Sequence, residues 1–237
     1  MSSRARTTAR RPLLSNFVCK TVMALTGLIF SAFVLVHMVG NLKVYLGAEH
    51  FNDYAHWLRE AFEPVLPYEG LLWVLRLALL ASLAGHVACA ALLWRRARVA
   101  RGPVRRRHAG WRSFTARTMP VTGLVLLFFV IFHVLDLTTG TAPAASGGFE
   151  AATVNTSHAY ENLVASFQRP LAGLFYALAM IVLGLHVAHG LWAAANDLGA
   201  TGRRFRQVAV VVSGVVALVI MLGNISIPIF VLIGVLK

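Results

Sequence analysis

VCKTVMALTGLIFSAFVLVHMVGNL, residues 18–42, decides the fold: its only formal charge is Lys20, close to its start. A hydrocarbon core of about 30 Å is crossed by roughly 20 apolar residues in a helix, so this segment is long enough to span a membrane. Working outward, four more runs of the same kind follow at about 71–94, 119–139, 170–195 and 208–236. Composition agrees, with 58% hydrophobic and 13% charged residues in 237. The expected fold is all-α: one integral membrane domain over 1–237, a bundle of five transmembrane helices behind a basic N-terminal tail, 1–16. The start, SSRARTTARRPLL, runs into an apolar segment too long for a signal-peptide core, and no small-residue cleavage site follows it.

The net charge of +13 invites a nucleic-acid reading, which the distribution rejects. Of 22 Lys and Arg, 17 fall in residues 1–20, 95–117 and 203–206; Lys43, Arg59, Arg76, Arg169 and Lys237 belong to the other side. Eight of the nine acidic residues also lie on that other side, Asp197 being the exception. By the positive-inside rule the N-terminus and the loops after the second and fourth spans are expected in the cytoplasm, and the C-terminus outside. The basic loops suit anionic lipid or a docked soluble subunit.

In the first outer loop, Phe51, Tyr54, Ala55, Leu58 and Phe62 recur at helical spacing, which predicts a surface helix over 48–62, ended by Pro64 and Pro67. The loop 140–169 is too polar to insert, and its far end, 160–168, is expected to pack back on the bundle. No nucleotide-binding or hydrolase motif is visible. Spans one and three carry VLVHMVG and VIFHVLD, while spans two and four carry SLAGHVACA and VLGLHVAHG, a weak internal echo.

Histidines carry the chemistry. His50, His56, His108 and His158 lie in loops; His37, His86, His133, His186 and His189 lie within spans, where an ionisable group needs a partner or a job. Helical rise sorts them by depth. His86 is about 13 Å from Arg95 and His186 about 16 Å from Asp197, whereas His37 is roughly 24 Å from Thr21 and His133 roughly 21 Å from Met119. Two layers of two histidines are the arrangement that two bis-histidine haems require, since each iron takes one imidazole on either side. Gly40, Gly85, Gly184 and Gly190, near these histidines, are expected to give a porphyrin room. The competing reading makes them interhelical hydrogen-bonding groups. His189 reads as a hydrogen-bond donor or a quinone neighbour.

The string KTVMALTGLIFSAFVLVHMVGNLKVYLG, then FNDYAHWLR, DLTTG after His133, and GLHVAHGLWAAANDLG resemble the cytochrome b anchor of succinate dehydrogenase and fumarate reductase, in its five-helix, single-anchor, dihaem form. The resemblance covers nearly all of the chain beyond the first 15 residues. It implies b-haem ligation by His37 with His133 in the outer layer and by His86 with His186 in the inner one. It also implies electron transfer from a flavoprotein and an iron–sulfur subunit, docked on the cytoplasmic side, to quinone, with menaquinone the expected type. Succinate itself would bind a partner chain, so no catalytic residue for it is expected here.

Cys19 and Cys89 depart from that pattern. With two of His86, His186 and His189 they would form a Rieske-type [2Fe–2S] ligand set, although helical rise places Cys19 about 9 Å nearer the interface. For quinone protons the candidates are Glu60, Glu63, Glu69, Asp136 and His189. Arg76 suits a haem propionate or snorkels outward. The other function classes are the cytochrome b anchor of another respiratory dehydrogenase, a haem-free structural anchor and, more remotely, a transporter.

Overall fold

The computed structural model describes residues 14–102, 111–200 and 202–237. Residues 1–13 of the basic tail and 103–110 of the basic connection, with Arg105, Arg106, Arg107 and His108, lie outside the described residues. Seven α-helices run in the order α1 Asn16–Asn41, α2 Ala48–Glu60, α3 Gly70–Arg101, α4 Trp111–His133, α5 Ala159–Phe167, α6 Pro170–Asp197 and α7 Arg203–Leu232. A 3-10 turn, Leu42–Leu46, extends α1, and a π turn, Val134–Thr138, extends α4. Five helical stretches are long and apolar enough to cross a membrane, as expected, and there is no strand among the described residues.

The helix boundaries follow local chemistry. Ser15 caps α1, its side chain accepting from the Val18 N–H at 3.1 Å. Pro170 occupies the first turn of α6, where its missing N–H costs nothing. The surface helix expected over 48–62 stops earlier, at Glu60, with Phe62 at φ 73° and the chain already turning before Pro64. Residues 160–168 do pack back: α5 buries Leu163, Val164 and Phe167 against the bundle.

The five spans do not pack equally. α6 lies against α7, α1 and α4, and α1 lies against α3. α1 makes little backbone approach to α4, and α3 little to α6. The bundle is therefore two helix pairs, α1–α3 and α4–α6, joined along α1–α6 and flanked by α7. Large apolar side chains such as Leu77, Val211 and Leu222 point away from the chain, as lipid-facing residues do.

Close α6–α7 packing needs Gly184, since a Cβ there would lie 3.1 Å from Met221 Cβ. Gly184→Val is expected to force the helices apart and cost about 1–3 kcal/mol, as overpacking does. A thermal melt in detergent checks this; an unchanged midpoint would show that the contact is slack.

Candidate functional site

Each helix pair carries the same device. In α1–α3, Thr26 Oγ1 lies 2.9 Å from His86 Nδ1; in α4–α6, Thr122 Oγ1 lies 2.9 Å from His186 Nδ1. A hydroxyl has one hydrogen to give. Thr26 donates it to the Val22 carbonyl at 2.7 Å, and Thr122 donates to the Met119 carbonyl at 3.0 Å. Each threonine oxygen is left to accept, so each histidine carries its proton on Nδ1 and keeps the Nε2 lone pair uncommitted. That is the tautomer a metal-ligating Nε2 needs, with the outer partner setting ring orientation. The next residue in each helix is glycine. A Cβ at Gly27 would meet His86 Cε1 at 3.7 Å, and one at Gly123 would meet His186 Cε1 at 3.5 Å, so the ring edges lie over these glycines.

The outer layer has its own regularity. Phe33 stacks on His37 with centroids 5.4 Å apart, and Phe129 stacks on His133 at 5.8 Å, each phenylalanine one turn before its histidine. His37 and His133 face each other across α1 and α4, centroids 5.9 Å apart and rings at 82°. Two imidazoles on opposite sides of one metal, with metal–nitrogen bonds of about 2 Å, have centroids roughly 6 Å apart. These two side chains thus meet at a ligand-pair spacing although their helices barely approach. All four rings keep accessible surface despite lying deep in spans: His37 is exposed and the other three are partly so. The outer pair fits axial ligation by its spacing, and the inner two are each held through Nδ1 with Nε2 free to ligate.

His133 also belongs to a buried polar network. Tyr176 Oη lies 3.3 Å from His133 Nδ1 and donates to Asp136 Oδ2 at 3.0 Å. Asp136, 1% exposed, sits in the π turn just past His133. It also accepts from Ser166 Oγ at 2.5 Å and from Arg169 Nη2 at 2.7 Å. Arg169 donates further to the Ser166 and Ala144 carbonyls. It borders a cleft of about 530 Å³ walled by Phe132, Pro143, Pro170, Leu171 and Phe175. Both oxygens of this buried carboxylate are thus engaged by donors, one of them a guanidinium.

Several expected residues fall elsewhere. Of the glycines expected to make room for a porphyrin, Gly40 admits Tyr54, Gly85 faces Val22 and Gly184 faces Met221, whereas Gly190 has open space beside it, with nothing within 4 Å of a Cβ there. Gly27 and Gly123 are the glycines under histidine rings. Arg76 binds Glu69 at 3.1 Å and lies over the Trp73 ring. Glu69 also pairs with Arg59, and Glu60 with His56. His189 packs against Trp192, centroids 5.6 Å apart.

Cys19 and Cys89, separated by the rise count, are in fact neighbours: both are buried, both are free thiols, and they interact with each other. Among the described residues no group of three or more His, Cys, Asp or Glu side chains is gathered as a metal-binding set. Two axial imidazoles do not require one.

Thr26, Thr122 and Tyr176 escaped the sequence reading. The threonines had a visible signal: TGLIFSAFVLVH at 26–37 and TGLVLLFFVIFH at 122–133 place Thr, Gly, Phe and His at identical spacing. The internal echo thus extends a further two turns back from the outer histidines and coincides with the two helix pairs. Comparison with known protein families, with curated proteins and with solved structures gave no match, so the functional reading of this chain rests on its own residues.

Proposed function

We propose that this chain is the membrane-anchor cytochrome b subunit of a succinate:quinone oxidoreductase, passing electrons from an iron–sulfur subunit to quinone through two b haems. The observation that carries the reading is the arrangement of the four span histidines: two depth layers, with Nδ1 of His86, His186 and His133 each engaged and Nε2 left available. The resemblance of the sequence strings to the succinate dehydrogenase anchor supports the choice among respiratory complexes.

Bound between His37 and His133, and between His86 and His186, b haems supply one-electron redox chemistry at two depths. The chain's own part is to ligate, orient and shield. Thr26 and Thr122 hold the inner rings, and Phe33 and Phe129 cover faces of the outer ones. The basic end, with Arg95, Arg96, Arg98 and Arg203, would face the cytoplasm and receive the iron–sulfur and flavoprotein subunits. On this reading the protein belongs in the cytoplasmic membrane with its C-terminus outside.

Quinone, with menaquinone the expected type, would enter the apolar cleft beside Phe132 and Phe175, both of which pack on Tyr176. Arg169 commits all but one of its five N–H groups to protein acceptors, leaving an Nη1 hydrogen for a quinone carbonyl.

A reduced-minus-oxidised optical spectrum of the purified complex, with haem quantified per anchor chain, tests the proposal. Two haems per chain are expected. One or none would refute the dihaem assignment, leaving a structural anchor or an iron–sulfur centre at Cys19 and Cys89.

A further inference from the structure

Of the four proposed ligand histidines, His133 alone is linked, through Tyr176, to a charged group. The inner rings lean on neutral threonines, and His37 makes no hydrogen bond among the described residues, being held by its stack on Phe33. Behind His133 stand Tyr176 and a buried carboxylate. The direction of that chain of hydrogen bonds follows from counting hydrogens.

A tyrosine hydroxyl has one hydrogen, and an ionised carboxylate only accepts. Asp136 Oδ1 takes a guanidinium N–H from Arg169, and Oδ2 takes the Ser166 hydroxyl, so the carboxylate has no proton to offer Tyr176. The Tyr176 hydrogen therefore points to Asp136, and its oxygen accepts from His133 Nδ1–H. Phe129 closes the cage, stacked on His133 and edge-on to Tyr176 at 5.3 Å.

We infer that Tyr176, polarised by Asp136, is the positioning residue of His133: it holds the imidazole in the Nδ1–H tautomer with Nε2 directed at the ligand position, and it makes that nitrogen more electron-donating. The physical basis is the known effect of a carboxylate behind a ligating histidine, which orients the ring and raises its basicity. Here the effect passes through one phenol. Arg169 does not cancel it, because the carboxylate lies between the guanidinium and Tyr176, with its negative end toward the histidine. The positioning of His133 stands on the chain's own geometry, while its effect on a bound metal rests on the haem reading above.

Two measurements separate these parts. In haem-free chain carrying 15N-labelled histidine, solid-state NMR of the wild type should show His133 as a single Nδ1–H tautomer. Tyr176→Phe, which removes one oxygen and little volume, should turn it into a mixture, while Thr122→Val should disturb His186 and leave His133 alone. In the haem-loaded complex, redox titration of Tyr176→Phe and of Asp136→Asn should each move one wave upward, the wave that is missing in His37→Ala, and leave the other in place. A wild-type His133 found with its proton on Nε2, or a Tyr176→Phe chain with unchanged tautomer and unchanged potential, would overturn the inference. A wild-type chain that shows the Nδ1–H tautomer but binds no haem would uphold the positioning role and sink the cytochrome reading instead.

Discussion

His186→Ala is expected to remove one haem per chain and leave the second, with its spectrum, in place. The reason is geometric. His186 and His86 belong to the layer near the basic end, held by Thr122 and Thr26, while His37 and His133 face each other in the other layer with separate supports. On the proposed haem assignment, loss of one imidazole would leave one inner iron face without a ligand, and the outer histidines have supports of their own. His86→Ala should give the same phenotype, and His37→Ala and His133→Ala the complementary one. The measurement is haem per chain combined with low-temperature absorption or EPR, in which the two haems are resolved. If His86→Ala and His37→Ala abolished the same signal, the pairing by layer would be wrong and the histidines would pair within helix pairs.

The second large effect concerns the ion pair behind His133. Arg169→Leu would leave Asp136, whose side chain is wholly buried, without its only cationic partner among the described residues. Breaking a buried pair from one side costs about 3–5 kcal/mol, because the remaining charge is stranded in a low-dielectric interior. We expect a sharply lowered melting temperature in detergent. The double variant Asp136→Leu/Arg169→Leu should recover much of that loss, since it removes the stranded charge along with the pair. A double variant no more stable than Arg169→Leu would show that the network's value lies in Ser166 and Tyr176 rather than in charge balance.

These two expectations draw on information of different origin. The histidine layers were legible because a transmembrane helix is a nearly linear object: a rise of about 1.5 Å per residue turns sequence position into depth without any knowledge of neighbours. Depth alone paired His37 with His133, and those two rings do meet. The same one-dimensional reasoning failed for the cysteines. Counting rise from the start of each span separated Cys19 from Cys89, yet the helices are offset along their axes and the two thiols are neighbours.

Which neighbour each glycine meets was hidden from the sequence for a related reason. Proximity in sequence to a histidine says nothing about which side of the helix a glycine occupies once helices have chosen partners. Gly40 and Gly184 were taken up by Tyr54 and Met221, whereas Gly27, ten positions from the nearest span-one histidine, lies beneath His86 of the neighbouring helix.

By itself, then, the sequence determined the class of fold, the five spans, a helix in the first loop and the position of each span histidine along its helix, because hydrophobic length and helical rise are local properties. It also contained the repeated Thr-Gly and Phe-His spacing. Only the tertiary structure decided what the repeat is for: that Thr26 reaches His86, that Thr122 reaches His186, and that Tyr176 and Arg169, distant in sequence, meet Asp136 beside His133. Those contacts depend on helix rotation and axial offset, which are set by the packing of whole helix faces and have no signature in any single span.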